Sequence, residues 1–170
     1  MNVFAAITHR KSVRAYKDII VEKEKIRKVL DAARLSPSAG NRQEWKFIIV
    51  TDSQTKEKLA GTTLGQPFLA RTPVIIVACA TQADHILICG QNSYTMDVAI
   101  ACAYMTLQAT ELGLGTCLVS AFSENEVKAI LNIPEHSRVV SMMPMGYPDQ
   151  PRSMKLRKSL DEIVCLERYN

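Results

Sequence analysis

The chain has no apolar run approaching the roughly 18 to 20 residues that a membrane-spanning helix requires. Its first residues, MNVFAAITHRKSVRAY, carry charge where a secretory leader needs its apolar stretch. A cytoplasmic protein without membrane contact is therefore expected. The five cysteines, Cys79, Cys89, Cys102, Cys117 and Cys165, form an odd set lacking any C-x-x-C pair. That argues against a disulfide framework or a zinc cage, and for reduced thiols placed mostly in the core. The three histidines, His9, His85 and His136, have no companion at metal-ligand spacing, and no G-x-S-x-G elbow is present, so neither a metal site nor a hydrolytic triad is indicated. GLGTCL, residues 113–118, begins like a dinucleotide fingerprint, but Leu118 replaces its third glycine and the segment follows a helical pattern instead of a strand. Gly113 is expected instead as the left-handed end of that helix. Internal repeats and low-complexity tracts are also missing.

What is present suffices for one core: 170 residues with 47% hydrophobic content suggest a single domain over 1–170. Residues 2–9 can form a short helix. In VEKEKIRKVLDAARL, Ile26, Val29, Leu30 and Ala33 recur at the spacing of one buried helical face, and Pro37, which disfavours helical geometry at Ser36, stops that helix. KFIIVT reads as a strand, 53–61 as a short helix, and TPVIIVACA as a central strand because it is apolar on both faces. YTMDVAIACAYMTLQATEL has helical length yet is apolar around nearly its whole circumference. Such a helix needs cover on all sides, part of which is expected from a second subunit. A strand near 115–120 follows, then a helix from Ser123, with Glu126 at the capping-box position, to Leu131, and a strand near 138–145. From 147 to 170 proline and charge dominate, and an arm lying over a surface is expected. Strands separated by helices indicate an α/β or α+β sheet domain.

The formal net charge of +4 is modest for this length, leaving room for a small anionic partner more than for nucleic acid. Two basic clusters matter. In HRKSVR, Arg10, Lys11, Ser12 and Arg14 mix charged donors with a hydroxyl, the set a phosphate requires. In KLRK, Lys155 and Arg157 alternate and would point to one side of an extended arm. Each cluster alone reads equally well as solvated surface charge. A third stretch, LSPSAGNRQEW, sets Pro37, Ser38, Gly40 and Asn41 at a junction that needs only a turn, and ends on the single tryptophan, Trp45, expected as a core anchor.

Taken together, RKSVRAY, AARLSPSAGNRQEWKFIIV, LQATELGLGTCLVSAF and PMGYPDQPRSMKLRKSL, in this order from one end of the chain to the other, resemble the successive signatures of the FMN-dependent nitroreductase family. The resemblance implies an α+β fold, a three-layer α-β-α sandwich whose mixed or antiparallel sheet is flanked by helices. It also implies a homodimer with FMN at the subunit interface and a C-terminal arm embracing the partner. Electrons would pass from NADH or NADPH through the flavin to an electrophile. Arg10, Lys11 and Ser12 match the family's phosphate and ribityl contacts, Lys155 and Arg157 complete the phosphate site, and Arg14 matches a basic position near flavin N1 and O2. Pro37, Ser38 and Ala39 match a segment presented from the opposite subunit, with Asn41 and Gln43 in support. Leu118, Val119, Ser120 and Ala121 match the segment whose backbone approaches flavin N5, so no catalytic side chain is implied: the cofactor carries the reaction.

Two departures stand out. Glu44 occupies a position where the family usually has proline, and only about fifty residues separate Trp45 from the apolar helix, where larger members insert a helical excursion over the substrate pocket. Acceptors consistent with the resemblance are nitroaromatics, quinones or similar electrophiles; a flavin relative performing dehalogenation or enone reduction is the alternative. A small basic nucleic-acid-binding domain would interleave exposed aromatics with its charges, and only Tyr16 and Tyr147 lie nearby.

Overall fold

The computed structural model describes residues 1–150 and 156–169. Its centre is VIIVACA, the strand β2 (Val74–Ala80), buried at every position. Because strand side chains alternate between faces, β2 serves two cores at once. Val74, Ile76, Ala78 and Ala80 pack with Val29 and Ala33 of α2 (Lys23–Arg34) and with Val98, Ala101 and Met105 of α4 (Ser93–Glu111). Ile75, Val77 and Cys79 face the other way, toward Leu59 of α3 (Ser53–Gly61) and Val127 of α5 (Glu124–Leu131). Helices therefore cover both sides of the sheet, giving the expected α-β-α sandwich.

Among the described residues, β1 (Trp45–Val50), β2, β3 (Gly115–Thr116) and β4 (Arg138–Gly146) form one sheet in the order β1-β2-β4-β3, every neighbouring pair antiparallel. α1 (Val3–His9) packs on α4. Trp45 is half-buried against the α2–α4 core, as expected of an anchor. Gly113, at φ +77°, follows the last residues of α4 in the left-handed conformation, and its amide donates to Thr110 O at 3.1 Å.

Two expectations are corrected. The strand expected over 115–120 is continuous over Gly115–Thr116 alone, with a further bridge at Val119–Met142 in the same register. At that register Cys117 faces Pro144; its amide donates to Pro144 O at 3.3 Å, but proline has no N–H to return the bond, so one rung is missing. The capping box at Ser123 does not form either: Ser123 is the N-cap but makes no side-chain cap bond. The Ser123 amide that Glu126 would accept is already donated to Thr62 O at 2.9 Å.

The acid that does work at this corner is Glu124. It accepts from Arg138 Nε at 2.9 and 3.1 Å and from the Val139 amide at 2.8 Å. Partial burial pushes its pKa upward, but the hydrogen bonds from Arg138 and Val139 outweigh that and hold it below the usual carboxylate range. A folded-state pKa below the unfolded one contributes stability above the unfolded value and loses it as pH falls through the folded value. Glu124→Gln should consequently flatten the fall of the urea midpoint between neutral pH and pH values below about 4. Urea titrations of parent and variant across that range check this.

Candidate functional site

The basic cluster is carried by the chain as it leaves α1. Arg10 is the C-cap, in extended geometry, with its amide donating to Ala6 O. Ser12 then makes a parallel bridge with Thr116, and the Val13 amide donates to Thr116 O at 2.8 Å, so residues 12–13 line the outer side of β3. Further along, Tyr16 bridges Pro148, the Asp149 amide donates to Ala15 O at 2.9 Å, and the Arg14 amide donates to Gln150 Oε1 at 3.3 Å. Tyr16 locks this segment from below. Its hydroxyl donates to Val13 O at 2.6 Å and also lies 3.2 Å from Pro144 O. Burial chiefly, and the neighbouring Cys117, push the Tyr16 phenol well above its ordinary range against the opposing pull of Arg14, so it stays neutral. Arg10, Lys11 and Ser12 are half-buried and Arg14 is exposed.

The 118–121 segment runs beside that edge. Val119 is buried and exchanges two hydrogen bonds of 2.9 Å with Met142, while Leu118, Ser120 and Ala121 are exposed. Ala121 O accepts from the Leu64 amide at 3.1 Å, which fixes the segment from its other side. Guanidinium, ammonium and hydroxyl groups are thus carried on one segment along the outer side of β3, the edge from which the exposed 118–121 backbone continues. This donor set fits the phosphate end of FMN, with the 118–121 backbone available to its ring.

The close approach of the two segments rests on Gly115. A Cβ built there would lie 2.6 Å from Val13 Cγ2 and 2.8 Å from Val13 Cβ. Gly115→Ala should therefore shift the Ser12–Val13 segment, cost about 1–3 kcal/mol, and lower FMN affinity. Chemical denaturation and a flavin-fluorescence titration read the two effects separately.

Pro37–Gln43 lies elsewhere. Trp45 pairs with Ala80, and β2 runs from there to Val74, which pairs with Met145 next to β3. At about 3.3 Å per residue that strand separates the loop from the basic cluster by roughly 20 Å. The two groups do not form one site within one chain. The loop itself is tightly shaped: Gly40, Asn41 and Gln43 have φ of +59°, +54° and +55°, Ser38 Oγ accepts from the Gln43 amide at 3.0 Å, and Gln43 Nε2 donates to Asn41 O and Oδ1. Glu44, at the departure from the family pattern, accepts through its backbone O from the Thr81 amide at 3.1 Å and pairs with Arg42 at 3.2 Å.

Of the C-terminal cluster, Lys155 lies outside the described residues. Arg157 is exposed and donates from Nη1 to Leu156 O at 3.2 Å; residues 156–169 are exposed throughout. Cys79, Cys102 and Cys117 are buried, as expected, whereas Cys89 and Cys165 are exposed. Burial pushes the Cys102 thiol up to about 12, and burial followed by Glu124 pushes Cys79 to about 11, so neither is a thiolate near neutral pH. Asp97 was not singled out for the site. It is a buried carboxylate in α4 whose Oδ1 accepts from the Ala39 amide at 2.9 Å; an acid in an otherwise apolar helix was the available signal.

Helices on both faces of an antiparallel sheet, with a basic segment along one edge and a strained polar loop at the far end, define an α+β sandwich. The sequence model of the nitroreductase family matches residues 7–67 and 60–147, and the chain belongs to that family. The structure resembles that of an FMN-dependent nitroreductase from Clostridium difficile R20291 at 30% identity, covering 98% of this chain and 99% of that one with a TM-score of 0.86. A nitroreductase family protein from Clostridium difficile 630 superposes with a TM-score of 0.89 at 31% identity, covering 99% and 100%. An FMN reductase [NAD(P)H] from Bacillus subtilis is 27% identical, over 98% of this chain and 74% of its own length.

Proposed function

We propose that the chain is an NAD(P)H-dependent flavin oxidoreductase that holds FMN between two copies of itself and reduces nitroaromatics, quinones or related electrophiles by a ping-pong cycle. The carrying observation is the separation of the two halves of the site. Arg10, Lys11, Ser12 and Ser120 belong to one sheet edge, and Pro37–Gln43 to the far end of the sheet, so a second protomer has to supply the loop. A surface for that protomer is available. Met96, Ala99, Ala103 and Tyr104 of α4 and Val3, Phe4 and Ile7 of α1 are exposed, and the two helices pack together. The α4 residues are the uncovered part of the circumference that its sequence requires to be covered, and the α1 residues extend that apolar surface.

Bound FMN would supply the redox chemistry, taking electrons from the nicotinamide and passing them to the acceptor. The protein residues bind and orient. Arg10, Lys11 and Ser12 neutralise the phosphate, joined by Lys155 and Arg157 from the arm. Arg14 places a fixed cation where negative charge accumulates on reduction, which favours the reduced cofactor. Leu118, Val119, Ser120 and Ala121 offer backbone to the ring, and Pro37, Ser38, Ala39, Asn41 and Gln43 close over it from the partner. The test is a purified sample scored for flavin absorption, bleached by NADH or NADPH under anaerobic conditions, and reoxidised by nitroaromatic, quinone, enone and aryl halide panels. Reoxidation by nitro or quinone compounds supports the proposal. Turnover confined to enones or halides replaces it with the alternative chemistry, and a colourless protein that takes up no FMN rejects both.

A further inference from the structure

We infer that Asp97 is a positioning residue that sets the shape of the Pro37–Gln43 loop for the cofactor, an inference resting on the reading proposed above. A carboxylate as buried as Asp97, 4% exposed, needs hydrogen-bond donors to hold its place. The donor is the Ala39 amide, 58 positions earlier in sequence and 2.9 Å from Oδ1. Ala39 opens a short 3-10 turn, Ala39–Asn41, and the first N–H groups of such a turn have no partner inside it. The residue placed to cap them is Ser38, which makes no side-chain cap bond; its Oγ accepts from the Gln43 amide instead. Asp97 thus caps the turn from another element, and Ser38 is released to close the loop.

This division of labour matters because the loop is held away from the conformations its residues favour. Gly40, Asn41 and Gln43 all lie in the left-handed region, and of these glycine alone adopts it without steric cost. The bonds among Ser38, Asn41 and Gln43 tie the loop to itself. The Asp97–Ala39 bond ties it to α4, and the Thr81–Glu44 bond to the exit of β2. The Asp97 side-chain oxygen holds an amide for which the turn itself offers no acceptor. Removing it should let the turn relax and move the groups presented to the flavin ring, while leaving the phosphate cluster at the far edge of the sheet untouched.

The experiment uses the full chain with Asp97→Ala, Asp97→Asn, Ala39→Pro and the Asp97→Ala/Ala39→Pro double variant. Ser38 has φ −142° and ψ 157°, the extended geometry that precedes proline, so Ala39→Pro deletes the amide with little backbone change. FMN dissociation constants, visible circular dichroism of bound flavin, and hydrogen exchange at Ala39 in parent and Asp97 variants are read together. Asp97→Ala and Ala39→Pro should each weaken FMN binding about ten-fold and alter the flavin dichroism. Asp97→Asn, whose amide oxygen still accepts, should stay within about three-fold, and the double variant should lose no more than either single one. Asp97→Ala should also speed exchange at Ala39. Parent-like affinity and dichroism in Asp97→Ala and Ala39→Pro, or fully additive losses, overturn the inference. Should Asp97→Ala not fold, Asp97→Asn and Ala39→Pro decide it on the same readouts. If the parent itself takes up no FMN, the proposed function fails, and the exchange at Ala39 still decides the structural part: equal rates in parent and variant reject it.

Discussion

The Arg10→Ala/Arg157→Ala double variant should purify colourless where the parent purifies yellow. Two charge-assisted phosphate contacts at roughly 1.5–3 kcal/mol each correspond to a loss of about 10²- to 10⁴-fold in FMN affinity. The two arginines should not contribute equally. Arg10 is half-buried and its backbone is pinned by the C-cap bond to Ala6, so little main-chain freedom remains to be lost on binding. Arg157 stands on an exposed arm and has to be ordered, which offsets part of its gain. Arg10→Ala alone should therefore weaken FMN more than Arg157→Ala alone. Parent affinity should also fall with added salt, and that dependence should be shallower in the double variant. Isothermal titration with FMN at two ionic strengths measures all of this. Retention of bound flavin by the double variant would remove the phosphate assignment.

The fold is more legible in the sequence than the site. β2 announced itself because both of its faces had to be apolar, and α2 because Ile26, Val29 and Leu30 kept helical period. Such patterns survive in sequence because each residue answers to its own local geometry. The interrupted strand after Thr116 was harder, since the missing rung belongs to Pro144, far along the chain and on the opposing strand. Ser123 failed as a capping box for the same reason: its amide was taken by Thr62, from another element. Asp97 shows the limit most clearly. Its residue type was visible, but its partner Ala39 is brought to it by the packing of the loop on α4, and no spacing rule connects positions 39 and 97.

Resemblance, by contrast, named positions without showing how they meet. Ser12 and Ser120 do share an edge, because Thr116 pairs with Ser12 and the chain continues along β4 to Val119. Pro37 and Ser38 do not reach that edge, being fixed at the end of the sheet where Trp45 pairs with Ala80. The resemblance already implied that Pro37 and Ser38 come from the opposite subunit; the sheet register supplies a physical reason why one chain does not bring them to Ser12.

That division makes a sharp prediction about assembly. Ala103 is exposed on α4 of the single chain, where replacement by glutamate should be almost neutral, within about 0.5 kcal/mol, if the helix faces water. If a second copy covers α4, Ala103→Glu buries an unpaired charge at the contact, and the several kcal/mol this costs should turn a dimer into a monomer. If, as proposed, the Pro37–Gln43 loop comes from the partner, the monomer should also lose FMN, although Ala103 is not among the assigned cofactor residues. Light scattering combined with absorption detection follows mass and flavin together. A folded Ala103→Glu protein of unchanged mass with full flavin occupancy would show that this face is not the interface. A monomer that keeps its flavin would show that one chain completes the site alone, which the roughly 20 Å between the loop and the basic edge argues against.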